Sequence, residues 1–227
     1  MKKYQYAIYF KEQVPNKKVI LHCLDYAWRH TPSKNNFMNY NVYVLGPDQL
    51  DRKLNLYYKC LENQSRSNGN HITGRNALEE YESKLIENKL TPYYISIKSA
   101  PYVILYTQRT ETQLNSFQKS RIEGGMIYEQ TFPKDNYRYD NATSNATLEI
   151  GMFANNLANK CLKHNIDISY VACILREWNE PEWQFLDDVP LLIQCAGYGD
   201  IYRRDYLKST QDLKPNFDRV VKFIGDE

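Results

Sequence analysis

The sequence predicts a single α/β domain over residues 1–227, on three observations. Segments with apolar residues at helical spacing alternate with short β-branched and aromatic segments. No repeat, low-complexity linker or shift in composition divides the 227 residues, a length that can bury a substantial core. The stretch PYVILYT (101–107) is nearly continuously apolar, which reads as a strand buried on both faces.

The elements follow in chain order. In NKKVILHCLDYAWRH (16–30), Val19, Ile20, Cys23, Leu24 and Ala27 recur at helical spacing. Pro15 suits the first turn of that helix, and Pro32 ends it just after Trp28. Tyr40 to Leu45 forms a short strand. Asp48 is placed to cap a second helix, 49–63, with Leu50, Leu54, Tyr57, Tyr58 and Leu61 inward. Residues 64–76 read as a loop and 77–89 as a polar helix. Residues 147–163 form a helix that is apolar over a wide arc through Leu148, Met152, Phe153, Leu157, Ala158, Cys161 and Leu162. Gly151, Ala154 and Ala158 keep it thin enough for close helix–helix approach. SYVACIL and PLLIQCAGYG supply two further strands, and NFDRVVKFI an amphipathic terminal helix or arm.

Residues 109–146 break this pattern. They are polar, aromatic and irregular, and a stretch of that length inside a compact domain is expected to be a lid or wall over a ligand. Phe117, Tyr128, Phe132, Tyr137 and Tyr139 are its candidates for stacking on a planar substrate.

Charge narrows the function classes. With 29 basic and 27 acidic side chains there is no field to draw nucleic acid or a membrane surface. The opening MKKYQYAIYFKEQ lacks a secretory apolar region, so a cytoplasmic protein without membrane contact is expected. Cys23, Cys60, Cys161, Cys173 and Cys195 stand singly, without metal-ligand spacing, as reduced core residues do. The sequons at Asn63, Asn141 and Asn145 read as chance. His22, His30, His71 and His164 form no pair at ligand spacing, and His22 and His164 read as helix-surface or helix-end residues. Dinucleotide fingerprints, P-loops, GxSxG and HExxH motifs are missing. An enzyme without such side-chain sets would leave its chemistry to an organic cofactor.

One short stretch concentrates polarity: Ser33, Lys34, Asn35 and Asn36 stand between a helix and a strand, followed by Phe37, Met38 and Tyr40. An ordinary connection needs only some of these. Residues 14–54 resemble the opening of nitroreductase-like flavoproteins, whose pattern is V-P-x-x-x-I, a helix, P-S-x-x-N-x-Q-P-W, a strand and a helix. Pro32, Ser33 and Asn36 match; Met38, Asn39 and Tyr40 replace Gln, Pro and Trp. APYVILY (100–106), the helix around Gly151, Asn156, Leu157 and Ala158, DDVPLLIQCAGYGD and LKPNFDRVVKFI resemble later family segments, in order.

The resemblance implies an α+β fold: a three-layer α-β-α domain with a central, mainly antiparallel sheet, paired as a homodimer that holds FMN at the subunit interface. It implies an FMN-dependent oxidoreductase, in which hydride passes from NAD(P)H through the flavin to a nitroaromatic, quinone or similar small planar acceptor. No side chain would then be catalytic in its own right. Ser33 and Asn36 would contact the flavin, and Lys214, with Arg203 and Arg204 as looser candidates, its phosphate. Two departures point to weakened or lost FMN binding. The family's R-R-S-x-R before V-P is absent here, and its G-L-G after the central helix is replaced by Asn165-Ile166-Asp167. A redox-inactive dimer of the same fold, binding a ligand or protein partner, is the alternative that these departures favour.

Overall fold

The computed structural model describes residues 9–33, 38, 40–88, 92, 94–109, 119–120, 123–125, 141–171, 186 and 190–200. Its named elements are α1 (Lys17–His30), β1 (Tyr40–Leu45), α2 (Leu50–Ser67), α3 (Arg75–Glu87), α4 (Ile95–Ser99), β2 (Tyr102–Gln108), α5 (Asn141–Lys163), β3 (Asp167–Val171) and β4 (Pro190–Gly197). The strands form one sheet in the order β1-β2-β4-β3, and every pairing is antiparallel. The fold is therefore α+β rather than α/β.

Helices cover both faces of this sheet, which is why β2 is buried throughout although its pairings are antiparallel. Alternation divides the strand between two cores. Val103 and Leu105 join Leu56, Tyr57, Leu61, Leu78 and Ile97 under α2, α3 and α4. Tyr102, Ile104 and Tyr106 join Ile20, Cys23, Phe153, Leu157 and Cys161 under α1 and α5. The result is a three-layer α-β-α sandwich.

Local chemistry refines several expected boundaries. Asn16, not Pro15, opens α1: its side chain accepts from the Lys18 N–H at 2.9 Å, satisfying one of the first-turn donors. Pro15 lies outside, where its carbonyl accepts from the Tyr102 hydroxyl at 3.1 Å. Asp48 does not cap α2; Gln49 occupies the cap position and donates its amide to Asp48 at 3.1 Å. Leu50 is 53% exposed rather than inward. α2 runs on to Ser67 because Gln64 and Ser65 are buried, and Ser65 Oγ accepts from the Ile72 N–H at 3.3 Å. The polar helix α3 still buries Leu78, Tyr81, Glu82 and Leu85.

α1 and α5 pack side by side and antiparallel. His22 meets His164, Tyr26 meets Lys160, His30 and Thr31 meet Asn156, and Ser33 meets Glu149. Ala27, Ala154 and Ala158 are fully buried in this layer, as their size predicts. Gly151 is not part of the contact, since it is exposed with open space beside it. Leu148 is likewise 63% exposed.

α5 begins at Asn141, so the C-terminal end of the stretch expected to be irregular (109–146) is helical. Most of that stretch, and the terminal segment 213–224, lies outside the described residues. At the far end of α5, Asn165 adopts φ 59, the left-handed conformation that glycine usually supplies after a helix. The Ile166 N–H returns to the Cys161 carbonyl at 3.0 Å, which closes that turn. Asn165 thus closes the turn after α5 without a glycine. Gly197 has no such freedom, because a Cβ there would fall 2.6 Å from Pro101 Cδ and 2.8 Å from Phe10 Cδ1.

Candidate functional site

The site is built where α1 leaves its helix and turns into β1. Thr31 is buried, and its hydroxyl donates to the Ala27 carbonyl at 2.6 Å. Asn156 of α5 donates to the His30 carbonyl at 3.0 Å and to Thr31 Oγ1 at 3.3 Å. A side chain from another helix therefore satisfies the end of α1, where carbonyls lack intrahelical partners.

Two residues further on, the half-buried Ser33 donates its hydroxyl to Glu149 Oε1 at 2.9 Å. Ser33 Oγ in turn accepts from the Met38 N–H at 2.7 Å. Met38 has φ 45, uncommon for a residue with a side chain. Its sulfur is held by the Trp28 indole N–H at 3.1 Å. That conformation, which costs on the order of 1 kcal/mol or more, closes the connection back on Ser33.

Glu149 is only 3% exposed, on the one face of α5 that also carries Phe153 and Asn156. Tyr40, the first residue of β1, is 5% exposed and packs edge-on against the Phe153 ring at 5.7 Å. Its hydroxyl has no hydrogen-bond partner among the described residues. Burial, with the Glu149 charge second, pushes that phenol up to about 12, so it remains a donor at neutral pH. Deeper in the same layer, the Tyr106 hydroxyl bonds Gln194, whose amide donates to the Ala154 carbonyl at 2.9 Å.

The connection gathers a hydroxyl and a carboxylate that bond each other and a protonated phenol without a partner among the described residues. Among the described residues no group of three or more His, Cys, Asp or Glu could hold a metal ion. No helix among them is long and apolar enough to cross a membrane.

Of the residues expected at the site, Ser33 follows α1 and its hydroxyl is engaged within the protein. Asn36, Arg203, Arg204, Lys214, Phe117, Tyr128, Phe132, Tyr137 and Tyr139 lie outside the described residues. Glu149, Tyr40 and Asn156 were not singled out as site residues from the sequence. The signal for two of them was present: Glu149 and Asn156 are spaced i and i+7 around Phe153, so burying Phe153 turns both inward.

By sequence, the chain matches neither a protein-family model nor a curated protein. Solved structures do resemble it. A BluB-like flavoprotein from Clostridium difficile 630 superposes with a TM-score of 0.57 at 15% identity, covering 97% of this chain and 94% of that one. A nitroreductase family protein from Streptococcus pneumoniae TIGR4 gives 0.55 at 15% identity, covering 96% and 94%. NfrA1 of B. megaterium gives 0.58 at 9% identity, covering 99% and 72%. Likeness at such identities speaks to architecture, and it runs over nearly the whole length of this chain: the protein has the nitroreductase-like fold.

Proposed function

We propose that this protein is a flavin-dependent oxidoreductase of the nitroreductase-like type. It binds FMN and passes hydride from NAD(P)H to a nitroaromatic, quinone or similar small planar acceptor. The observation that carries the reading is the polar convergence at the α1–β1 connection. Ser33 there lies within hydrogen-bond distance of a buried carboxylate, beside a buried tyrosine whose hydroxyl has no partner among the described residues. An orphaned buried donor is costly unless something accepts from it, and a flavin edge carries suitable acceptors. A flavin edge at this connection would supply the acceptor that the Tyr40 hydroxyl lacks among the described residues. The flavin, when bound, supplies the redox chemistry.

This chain's own residues hold and orient. Ser33 and Asn36 are assigned to the flavin, and Lys214, with Arg203 and Arg204, to its phosphate. Phe117, Tyr128, Phe132, Tyr137 and Tyr139 are assigned to the acceptor, as a wall or lid. Deleting part of residues 109–146 would then change acceptor preference more than stability; a truncated protein that simply unfolds would overturn that assignment.

Assembly as a homodimer belongs to the same proposal. Leu148 and Gly151 on α5, with Leu21 and Trp28 on α1, leave apolar or small residues exposed on the outer helical layer. A second copy burying that layer fits the large apolar interfaces of obligate dimers. A monodisperse monomer by sedimentation would overturn it.

One observation favours a second reading, a dimer of this fold that has lost redox chemistry. Lys2 and Lys3 stand where the resemblance expects an arginine pair, and lysine is a point charge rather than a fixed fork. Each charge-assisted bond to phosphate contributes roughly 1.5–3 kcal/mol. Every 1.4 kcal/mol lost raises the dissociation constant about tenfold. Titration of apo-protein with FMN, followed by flavin fluorescence, separates the two. Saturable micromolar binding that Asn36→Ala weakens about tenfold or more supports the enzyme. Absence of binding at near-millimolar FMN leaves the second reading.

A further inference from the structure

The register of α1 against α5 sets two thiols face to face. Cys23 and Cys161 are both fully buried in one core cluster, both are free, and their side chains hydrogen-bond each other. Contacts on either side fix the crossing. The His22 and His164 rings meet edge to face at 5.8 Å. The Lys160 ammonium lies 4.8 Å from the centre of the Tyr26 ring. Small residues in this layer, Ala27, Ala154 and Ala158, permit close approach. Facing residues on helices packed this closely come within reach of a disulfide, whose Cα atoms stand roughly 4.4–6.8 Å apart.

The geometry assigns Cys23 and Cys161 as an oxidisable dithiol that a hydroperoxide converts to a disulfide, stapling α1 to α5. The two thiols have different parts. Its hydrogen bond with Cys161 holds the Cys23 thiol below its ordinary value; burial opposes this, and the Lys160 charge adds to it. Cys161 is pushed up by the same hydrogen bond and by burial. The step is written with Cys23 attacking and Cys161 resolving. The Cys23 sulfur attacks a peroxide oxygen, the O–O bond breaks, and water leaves once the departing oxygen takes up the thiol proton. The Cys161 sulfur then attacks the sulfenic acid; its S–O bond breaks and a second water leaves with the Cys161 proton. The protein loses two hydrogens, and one hydrogen peroxide is reduced to two waters.

Cys60 and Cys195 have no such bias. They lie in the other core, across the sheet, and burial pushes each thiol up to about 12. The staple would fix the helix pair whose other end carries Ser33 and Glu149. It requires no flavin.

The test is peptide mapping of the folded protein after hydrogen peroxide treatment, with free thiols alkylated under denaturing conditions and no reductant. The expected result is an intact mass lower by two hydrogens, a free-thiol count lower by two, and a linked Cys23–Cys161 peptide. Dithiothreitol should reverse all three. Cys161→Ser should instead gain oxygen at Cys23, while Cys60→Ser should behave as wild type. A cross-link through Cys60, Cys173 or Cys195, oxygen gain in wild type without a cross-link, or five unreacted thiols would each overturn the assignment. The wild-type map stands even if a variant does not fold.

Discussion

The Ser33 hydroxyl donates to Glu149 Oε1 at 2.9 Å, joining the exit of α1 to a buried carboxylate more than a hundred residues later in the chain. This bond closes the helix pair at its site end. Because Ser33 Oγ also accepts from the Met38 N–H, one oxygen sets the path into β1. Hydrogen bonds to charged groups contribute roughly 1.5–3 kcal/mol. Glu149→Ala is therefore expected to lower stability by about 2 kcal/mol and the melting temperature by roughly 4–8 °C. Glu149→Gln, which retains an acceptor, should lose less. Thermal melts check this, and equal melting of all three proteins would refute it.

Asn156 closes α1 one step earlier, with donors to the His30 carbonyl and to Thr31 Oγ1. Asn156→Ala is expected to cost about 1 kcal/mol. Asn156→Asp should cost more, because it replaces the donors with a carboxylate facing a carbonyl. Hydrogen exchange of the last α1 amides should speed up in both variants, with the rest of the sheet unchanged. Uniform acceleration everywhere would mean global rather than local loss.

Much of this architecture was legible because it rests on periodicity. α1, β1 and β2 appear where apolar spacing puts them, since a helix or strand must bury one face or both. What periodicity does not reveal is which part of a wide apolar arc meets a neighbour. Leu50 and Leu148 fit their helical patterns and are exposed, whereas Lys53, Gln64 and Glu149, residue types that mostly face solvent, are buried. Each of those three polar residues is placed by a partner distant in sequence or by tertiary packing, which local pattern does not encode. At the site, Ser33 was legible as part of an over-polar connection. Tyr40 was not, because an aromatic opening a strand reads as core until its hydroxyl is found without a partner.

The buried tyrosines predict alkaline lability. Burial pushes Tyr40 and Tyr58 up to about 12, with a hydrogen bond to Glu79 adding at Tyr58, and it raises Tyr57 and Tyr106 as well. In the unfolded chain they titrate near 10. A folded value above the unfolded one gives stability that is complete below the unfolded value and lost as pH rises through the folded one. Urea midpoints should therefore hold steady to about pH 9 and fall between about 10 and 12. Tyrosinate absorbance from these four should appear only with unfolding. Full tyrosine titration near pH 10 with near-ultraviolet dichroism intact would contradict the burial.

Lys53 makes the sharpest single-site prediction on the opposite face of the sheet. It is 3% exposed, and its ammonium donates to the Ala100 carbonyl at 3.1 Å and the Pro101 carbonyl at 3.0 Å. Those carbonyls lie where α4 ends and the chain turns into β2, and backbone acceptors cannot be mutated away. A buried charge is often replaceable by a hydrophobe of similar volume when its partners go too. Here the partners stay, so Lys53→Met keeps the packing of the stem but strands two acceptors, at roughly 1–3 kcal/mol each. Relief from burying an ammonium returns part of this, leaving an expected loss of about 2–4 kcal/mol. Burial holds the Lys53 value below its ordinary 10.5, with Cys195 and Asp48 opposing. The unfolded chain therefore binds the proton more tightly, and folding gains as pH rises toward that ordinary value. Denaturant titrations of wild type and Lys53→Met at several pH values should show a gap that widens toward alkaline pH. A variant as stable as wild type, or a gap that narrows with rising pH, would show that the two carbonyls do not depend on the ammonium.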